Sequence, residues 1–153
     1  MMSDLLTSLP PGALMMLAAI PLVLVPHHAR QVVMLLAIAG SAFSLTAGAG
    51  QHLNIEMLGF EMSLYRSDHL SLPFAIVFHI AAALNGIYSW HDRKWSEHTA
   101  SLSYAGAAIA AVHAGDLITL FIWWEATAVT SVFLILAAGT DRAQRAAMRY
   151  LLF

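Results

Sequence analysis

The chain has 153 residues, of which 59% are hydrophobic and only 10% are charged. A water-soluble domain carries roughly 25% charged residues, so this composition excludes an ordinary soluble fold and predicts an integral membrane protein. The net charge of -2, without a run of basic residues, gives nucleic-acid binding no electrostatic basis. Cysteine is absent and the histidines show no metal-site spacing, so we expect neither disulfides nor a metal or other cofactor.

Apolar segments divide the chain into membrane-spanning helices, each of which needs about 20 residues to cross the bilayer. The sequence predicts an all-α membrane protein, one domain over residues 1–153, with about five transmembrane helices and the start of a sixth. The predicted spans are residues 5–25, 31–49, 70–90, 99–114 and 117–139. The first is interrupted by prolines and has no basic start, so we expect it to be retained rather than cleaved as a signal.

The connection between the second and third spans has a different pattern. Apolar residues alternate from His52 to Met57 and again from Phe60 to Tyr65, on either side of Gly59. Alternation on both sides of a glycine predicts a β-hairpin over residues 51–65, lying outside the cytoplasm on the helix ends. The alternative is an irregular loop.

The last residues of the sequence begin another apolar stretch. After a turn at 140–142, residues 146–153 are typical of the opening of a sixth span, but they are too few to complete one. We therefore expect either that the helix continues on another polypeptide or that the sequence is part of a longer protein.

Basic residues predict the orientation, because short loops rich in Lys and Arg stay in the cytoplasm. With the spans above, only Arg66 falls on the outer side. The inner side receives Arg30, Arg93, Lys94, Arg142, Arg145 and Arg149. The amino terminus is therefore predicted to lie outside.

Glu125 is the main candidate for function, as an acid deep in the fifth predicted span. A carboxylate at that depth is costly unless it is protonated, paired or hydrated, and such residues are functional candidates by default. Its own helix face is otherwise apolar, and no predicted span contains a lysine. A group drawn towards protonation by burial and towards ionisation by a cationic neighbour can exchange protons. The alternative is a glutamate that only packs helices.

Three further residues are candidate proton relays. His79 and His113 lie in the third and fourth spans, and an unperturbed histidine titrates near neutral pH. Each is equally suited to be a neutral core histidine bonded to a carbonyl. Asp116 precedes the fifth span, where helix capping is the alternative to a role in proton entry.

Two segments resemble a known signature: residues 115–125, GDLITLFIWWE, and residues 67–74, SDHLSLPF, which follow the hairpin. They are similar to the amino-terminal third of the proton-translocating antiporter-like membrane subunits. That family includes the large membrane-arm subunits of respiratory complex I and the A and D subunits of Mrp-type sodium/proton antiporters. The resemblance implies a multi-pass protein of a bacterial cytoplasmic membrane that performs no bond chemistry of its own.

In that family the glutamate matched by Glu125 is a principal residue of ion coupling and is thought to pair with a lysine on the seventh helix. The resemblance therefore implies partner membrane subunits, one of which supplies an intramembrane lysine, and protons or sodium as the transported ions. Two alternatives remain open: a scaffold subunit without transport activity, and a quinone-binding redox subunit.

Overall fold

The structure, a computed structural model, describes residues 10–47, 52–57, 59–91 and 94–152. The first part of the predicted 5–25 span lies outside these residues. So do Gln51 at the start of the predicted hairpin, Arg93 of the orientation argument and Phe153 of the predicted sixth span.

Helices occupy the predicted segments. Within the described residues they are α1 (Pro11–Ala19), α2 (His27–Ala47), α3 (Ser71–Tyr88), α4 (Trp95–Val112), α5 (Leu117–Ala137) and α6 (Asp141–Leu152). Short 3-10 turns, Pro21–Val23 and Ser89–His91, follow α1 and α3. α1 starts next to Pro10 and ends just before Pro21, because proline suits the first turn of a helix and interrupts its interior.

Three of these helical segments are long and apolar enough to cross a membrane: His27–Thr46, Ser71–His91 and Leu117–Ala137. Several such helices are typical of a membrane protein. The predicted number was about five, but the described part of the first span, Pro11–Val23, is shorter than a full crossing. α4 has 18 residues and is not among the three, because polar residues such as Glu97 and His98 lower its hydropathy.

The position of α4 explains its mixed composition. It packs against α1, α3 and α5 in the middle of the bundle, and Leu102 and Ile109 are among its buried residues. α1 crosses it at Gly12, where a Cβ on Gly106 would come within 2.6 Å of the Gly12 carbonyl oxygen. Small residues that let two backbones approach in this way are typical of membrane helix interfaces.

The predicted hairpin is confirmed as a two-stranded antiparallel sheet. β1 (His52–Met57) pairs with β2 (Phe60–Arg66), and Gly59 lies in the turn, as the alternation predicted. The register shifts between Leu53 and Asn54, which allows Met62 and Tyr65 of β2 both to be buried.

Helix ends fall into two groups at opposite ends of the bundle. At one end the Gln31 side chain donates to the Trp90 carbonyl (3.0 Å), and the Lys94 ammonium donates to the Ala137 carbonyl (2.9 Å). At the other end the hairpin meets the α4–α5 connection, where the Gly115 amide donates to the Ser63 carbonyl (2.9 Å). Most of the described basic residues therefore lie at the end of the bundle that is opposite the hairpin. The orientation of the bundle in a membrane stays a prediction.

Candidate functional site

Glu125 lies on α5, the most apolar of the long helices. It is about 12 Å along the axis from Leu117, at 1.5 Å per residue. The helix is held at its start by Asp116 and is apolar apart from Glu125 and a few hydroxyl residues. The hydroxyls of Thr127, Thr130 and Ser131 donate to carbonyls of their own helix. Their protons are therefore not donated to the Glu125 carboxylate.

A cavity of about 1030 Å³ lies between Glu125 and α6. The charged residues that line it are Glu125 of α5 and three arginines. All three arginines lie on α6. The cavity is lined by Trp124, Glu125, Ala128, Val129, Arg142, Arg145, Ala146, Arg149, Tyr150 and Leu151. The structure therefore places the predicted acid opposite a basic surface of the same chain.

The basic surface arises from the spacing of the arginines. Arg142, Arg145 and Arg149 follow one another at three and four residues, which puts them on one helix face. Ala147 lies on the opposite face and is buried. Over its described length α6 is thus amphipathic, whereas the sequence was interpreted as the opening of an apolar sixth span.

The acid and the arginines share the cavity without touching. Within the described parts of the chain, no ion pair joins Glu125 to Arg142, Arg145 or Arg149. Arginine remains charged at all physiological pH values, so these side chains supply fixed positive charge to the space that Glu125 faces.

A second cavity, of about 850 Å³, lies between α3, α4 and α5. Trp124 and Ala128 of α5 and Tyr150 of α6 line both cavities, so these side chains lie between them. The second cavity is mainly apolar but has polar residues along α3 and α4, including Asn85, which donates to the Ser101 hydroxyl.

Asp116 caps α5 and anchors the hairpin. One carboxylate oxygen accepts from the Ile118 and Thr119 amides (2.8 and 2.9 Å). The other accepts from the Ser63 amide (2.6 Å) and the Thr119 hydroxyl (2.8 Å). These hydrogen bonds, that from the Thr119 amide above all, lower the pKa of the Asp116 carboxyl. The capping role is confirmed, and the proton-entry role stays a prediction.

Asp68, which sequence reasoning passed over, does the same for α3. Its carboxylate accepts from the Leu70 and Ser71 amides, and the Ser71 hydroxyl accepts from the Asp68 amide (2.9 Å). The hydrogen bond from the Ser71 amide is the main reason that the pKa of Asp68 is lowered. Asp68 and Asp116 therefore both accept hydrogen bonds from backbone amides at the start of a helix.

His113 is fully buried behind the hairpin. Its Nδ1 lies 2.9 Å from the Ile109 carbonyl oxygen, and its ring lies 5.1 Å from that of Tyr65. Its Nε2 has no hydrogen-bond partner within the described structure. Burial raises the pKa of the adjoining Tyr65 hydroxyl.

His79 is also buried, and both of its ring nitrogens have partners, the Ala75 carbonyl and the Ser41 hydroxyl. The sequence-predicted site residues do not form one cluster. Glu125 faces the cavity with the arginines, whereas His79, His113 and Asp116 line neither cavity. Their relay roles stay predictions.

Sequence reasoning missed two parts of this arrangement. The arginines of α6 were used only for orientation, although their three-and-four spacing was a visible signal. Ser41 had no signal, because its contact with His79 joins residues 38 apart on two helices.

The described residues contain no group of three or more histidine, aspartate or glutamate side chains placed to hold a metal ion. Comparison with known proteins gives no matching family model, no similar curated protein and no similar solved structure.

Proposed function

We propose that the chain is a membrane subunit of a proton- or sodium/proton-translocating complex and that Glu125 is its protonatable coupling residue. The observation that carries this proposal is the cavity in which Glu125, on the most apolar long helix, faces Arg142, Arg145 and Arg149. The resemblance of residues 67–74 and 115–125 to the antiporter-like subunits supports the same function.

A carboxylate inside a bilayer is costly unless it is protonated, paired or hydrated. Glu125 is exposed on α5, and three arginines of α6 line the same cavity. Water that entered this cavity in the membrane would give a proton a route to Glu125. Displacement of the arginines relative to α5 would change the electrostatic potential at the carboxyl group and so release or bind a proton.

The arrangement in the membrane is part of the proposal. About five spans, with the amino terminus outside the cytoplasmic membrane of a bacterium, place the arginines of α6 on the cytoplasmic side. The exposed apolar side chains of α5, among them Leu117, Phe121 and Phe133, would contact lipid and partner subunits. One partner would supply an intramembrane lysine to Glu125.

The test uses Glu125→Gln, which keeps the shape of the side chain and removes the titratable group. Inverted membrane vesicles are prepared from the native host carrying either the parent chain or the variant, and ion translocation is measured with a pH-sensitive dye. We expect Glu125→Gln to assemble normally and to lose translocation. Glu125→Asp, which keeps an acid but shortens it by one methylene, should retain part of it.

Glu61→Gln is the matched control, because it makes the same change at an exposed position of the hairpin. It should translocate like the parent. Normal translocation by an assembled Glu125→Gln variant would reject the proposal and favour the alternative, a scaffold subunit without transport activity of its own.

A further inference from the structure

The basic surface of α6 holds three positive charges that have no counter-ion among the described residues. Arg142, Arg145 and Arg149 are all exposed, and within the described parts of the chain none of their side chains forms an ion pair or a hydrogen bond. Glu125 is the one acid among the described residues that line the cavity. The cavity therefore carries an excess of positive charge whether Glu125 is ionised or protonated.

The other arginine and lysine side chains that the structure describes have partners within the chain. Arg30 and Lys94 donate hydrogen bonds to backbone carbonyl oxygens. The Arg66 guanidinium lies 3.3 Å from the Asp68 carboxylate. The unpaired cations are thus gathered on the basic surface, which indicates that this surface meets an anion from outside the described chain.

The same cavity also has an exposed apolar wall. It is lined by Trp124, Val129, Tyr150 and Leu151, each of which is half exposed or more. Phe133 follows Val129 by four residues on the same side of α5 and is 57% exposed. Covering such side chains with an apolar group is favourable. The lining therefore suits an occupant that is anionic at one end and apolar at the other.

The size and the place of the cavity narrow the choice of occupant. Its volume is about 1030 Å³, and small-molecule sites measure about 300–1,000 Å³, so there is room for a phosphate headgroup and the start of its acyl chains. α6 begins after the end of α5 that is opposite the hairpin, and this end is predicted to face the cytoplasm, where anionic lipids give the membrane surface its negative potential. The planar guanidinium of arginine matches phosphate with two parallel hydrogen bonds.

We propose that the basic surface binds the phosphate group of an anionic phospholipid of the surrounding membrane, and that the acyl chains of this lipid lie along Val129 and Phe133 of α5. The arginines donate charge-assisted hydrogen bonds to the phosphate oxygens. A lipid with a zwitterionic headgroup binds more weakly, because its own ammonium group offsets the charge of its phosphate. The lipid site goes beyond the proposed function and does not rest on proton exchange at Glu125.

Quenching of Trp124 fluorescence by brominated lipids tests this contact, because Trp124 lies in the cavity wall. The full chain is reconstituted in phosphatidylcholine vesicles that contain a minor fraction of brominated phosphatidylglycerol, which is anionic, or of brominated phosphatidylcholine. The Trp124 signal is the difference from a Trp124→Phe variant in the same background. We expect the anionic lipid to quench Trp124 at lower mole fractions. An arginine near a membrane surface contributes about a fivefold preference for anionic lipid, so Arg145→Gln should reduce the preference about fivefold.

Arg66→Gln is the matched control, because it removes the same charge at the hairpin end from an arginine that is already paired with Asp68. It should keep the preference of the parent. Equal quenching by the two brominated lipids in the parent would overturn the proposal, and so would an unchanged preference in Arg145→Gln or an equal loss in Arg66→Gln.

Inorganic phosphate separates a lipid from a free anion as the ligand. Potassium phosphate should leave the preference for the anionic lipid as it is in potassium chloride of equal ionic strength. If phosphate removes the preference, a free phosphate ion is the ligand and the lipid proposal fails. Should Arg145→Gln not fold, the comparison of the two lipids in the parent alone decides.

Discussion

Replacing Asp116 by asparagine should detach the hairpin from α5 while leaving the helix cap in place. The two carboxylate oxygens have different tasks: one accepts from the Ile118 and Thr119 amides, and the other accepts from the Ser63 amide. An asparagine oxygen can replace the first, because asparagine is as good an N-cap as aspartate. Its NH2 group then faces the Ser63 amide, where two donors oppose each other.

The size of the effect follows from the bond that is lost. A hydrogen bond to a charged group contributes about 1.5–3 kcal/mol, and the partial exposure of Asp116 reduces this to about 1 kcal/mol. Amide exchange through local opening should then be about fivefold faster at Ser63, since about 1.4 kcal/mol corresponds to a factor of ten. The Ile118 and Thr119 amides should keep their protection.

Hydrogen exchange of the full chain in lipid bilayers, followed by mass spectrometry or NMR, measures these amides separately. Asp116→Ala provides the comparison, because it removes both oxygens and should accelerate exchange at Ser63, Ile118 and Thr119 together. Unchanged Ser63 exchange in Asp116→Asn would refute the anchoring role. Faster exchange at Ile118 and Thr119 in that variant would refute the separation of the two tasks.

Three other expectations concern the fold and its orientation. Because its hydrogen bonds lower the pKa of Asp116, the anchor is complete above the ordinary value of 3.8 and is lost as the pH falls through the lowered one. The protection of the hairpin amides, measured against their intrinsic exchange rate at each pH, should therefore fall only in acid. Gly106→Ala should destabilise the bundle by about 1–3 kcal/mol through overpacking. Gly40→Ala, which has nothing within 4 Å of the new Cβ, should leave the stability unchanged. Thermal unfolding of the two variants in detergent measures the difference. The chain has no cysteine, so single cysteines can report the orientation. A cysteine in place of Lys94 should react with a membrane-impermeant maleimide only from the cytoplasmic side, and one in place of Glu61 only from outside. Reversed labelling would contradict the predicted orientation.

Local sequence patterns predicted the elements of the fold well. Alternation around Gly59 located both strands, and apolar stretches located the helices that follow the hairpin. The residue before α5 was recognised as a cap, because an acid at that position accepts from the first free amides. The register shift at Leu53 was beyond this reasoning, since it depends on how β2 meets the helix ends.

Most of the structural features that could not be predicted from the sequence depend on contacts between segments that are distant in the chain. Polar residues such as Glu97 and His98 lower the hydropathy of α4 below that of a typical span, and the neighbouring helices that cover α4 are not visible in a pattern within one segment. Likewise, Asp116 meets Ser63 across 53 residues. The arginines of α6 differ, because their spacing already indicated a basic helix face, although not that Glu125 would lie opposite to it.

The most direct measurement of the central claim is infrared difference spectroscopy of the assembled complex in membranes, recorded between its resting and working states. Glu125, facing its cavity and the arginines of α6, should gain or lose a proton between these states. The account predicts a carboxylic C=O band that changes sign with the direction of transport and is missing in Glu125→Gln. The same band persisting in an assembled Glu125→Gln variant, or a parent spectrum without any such band, would contradict it.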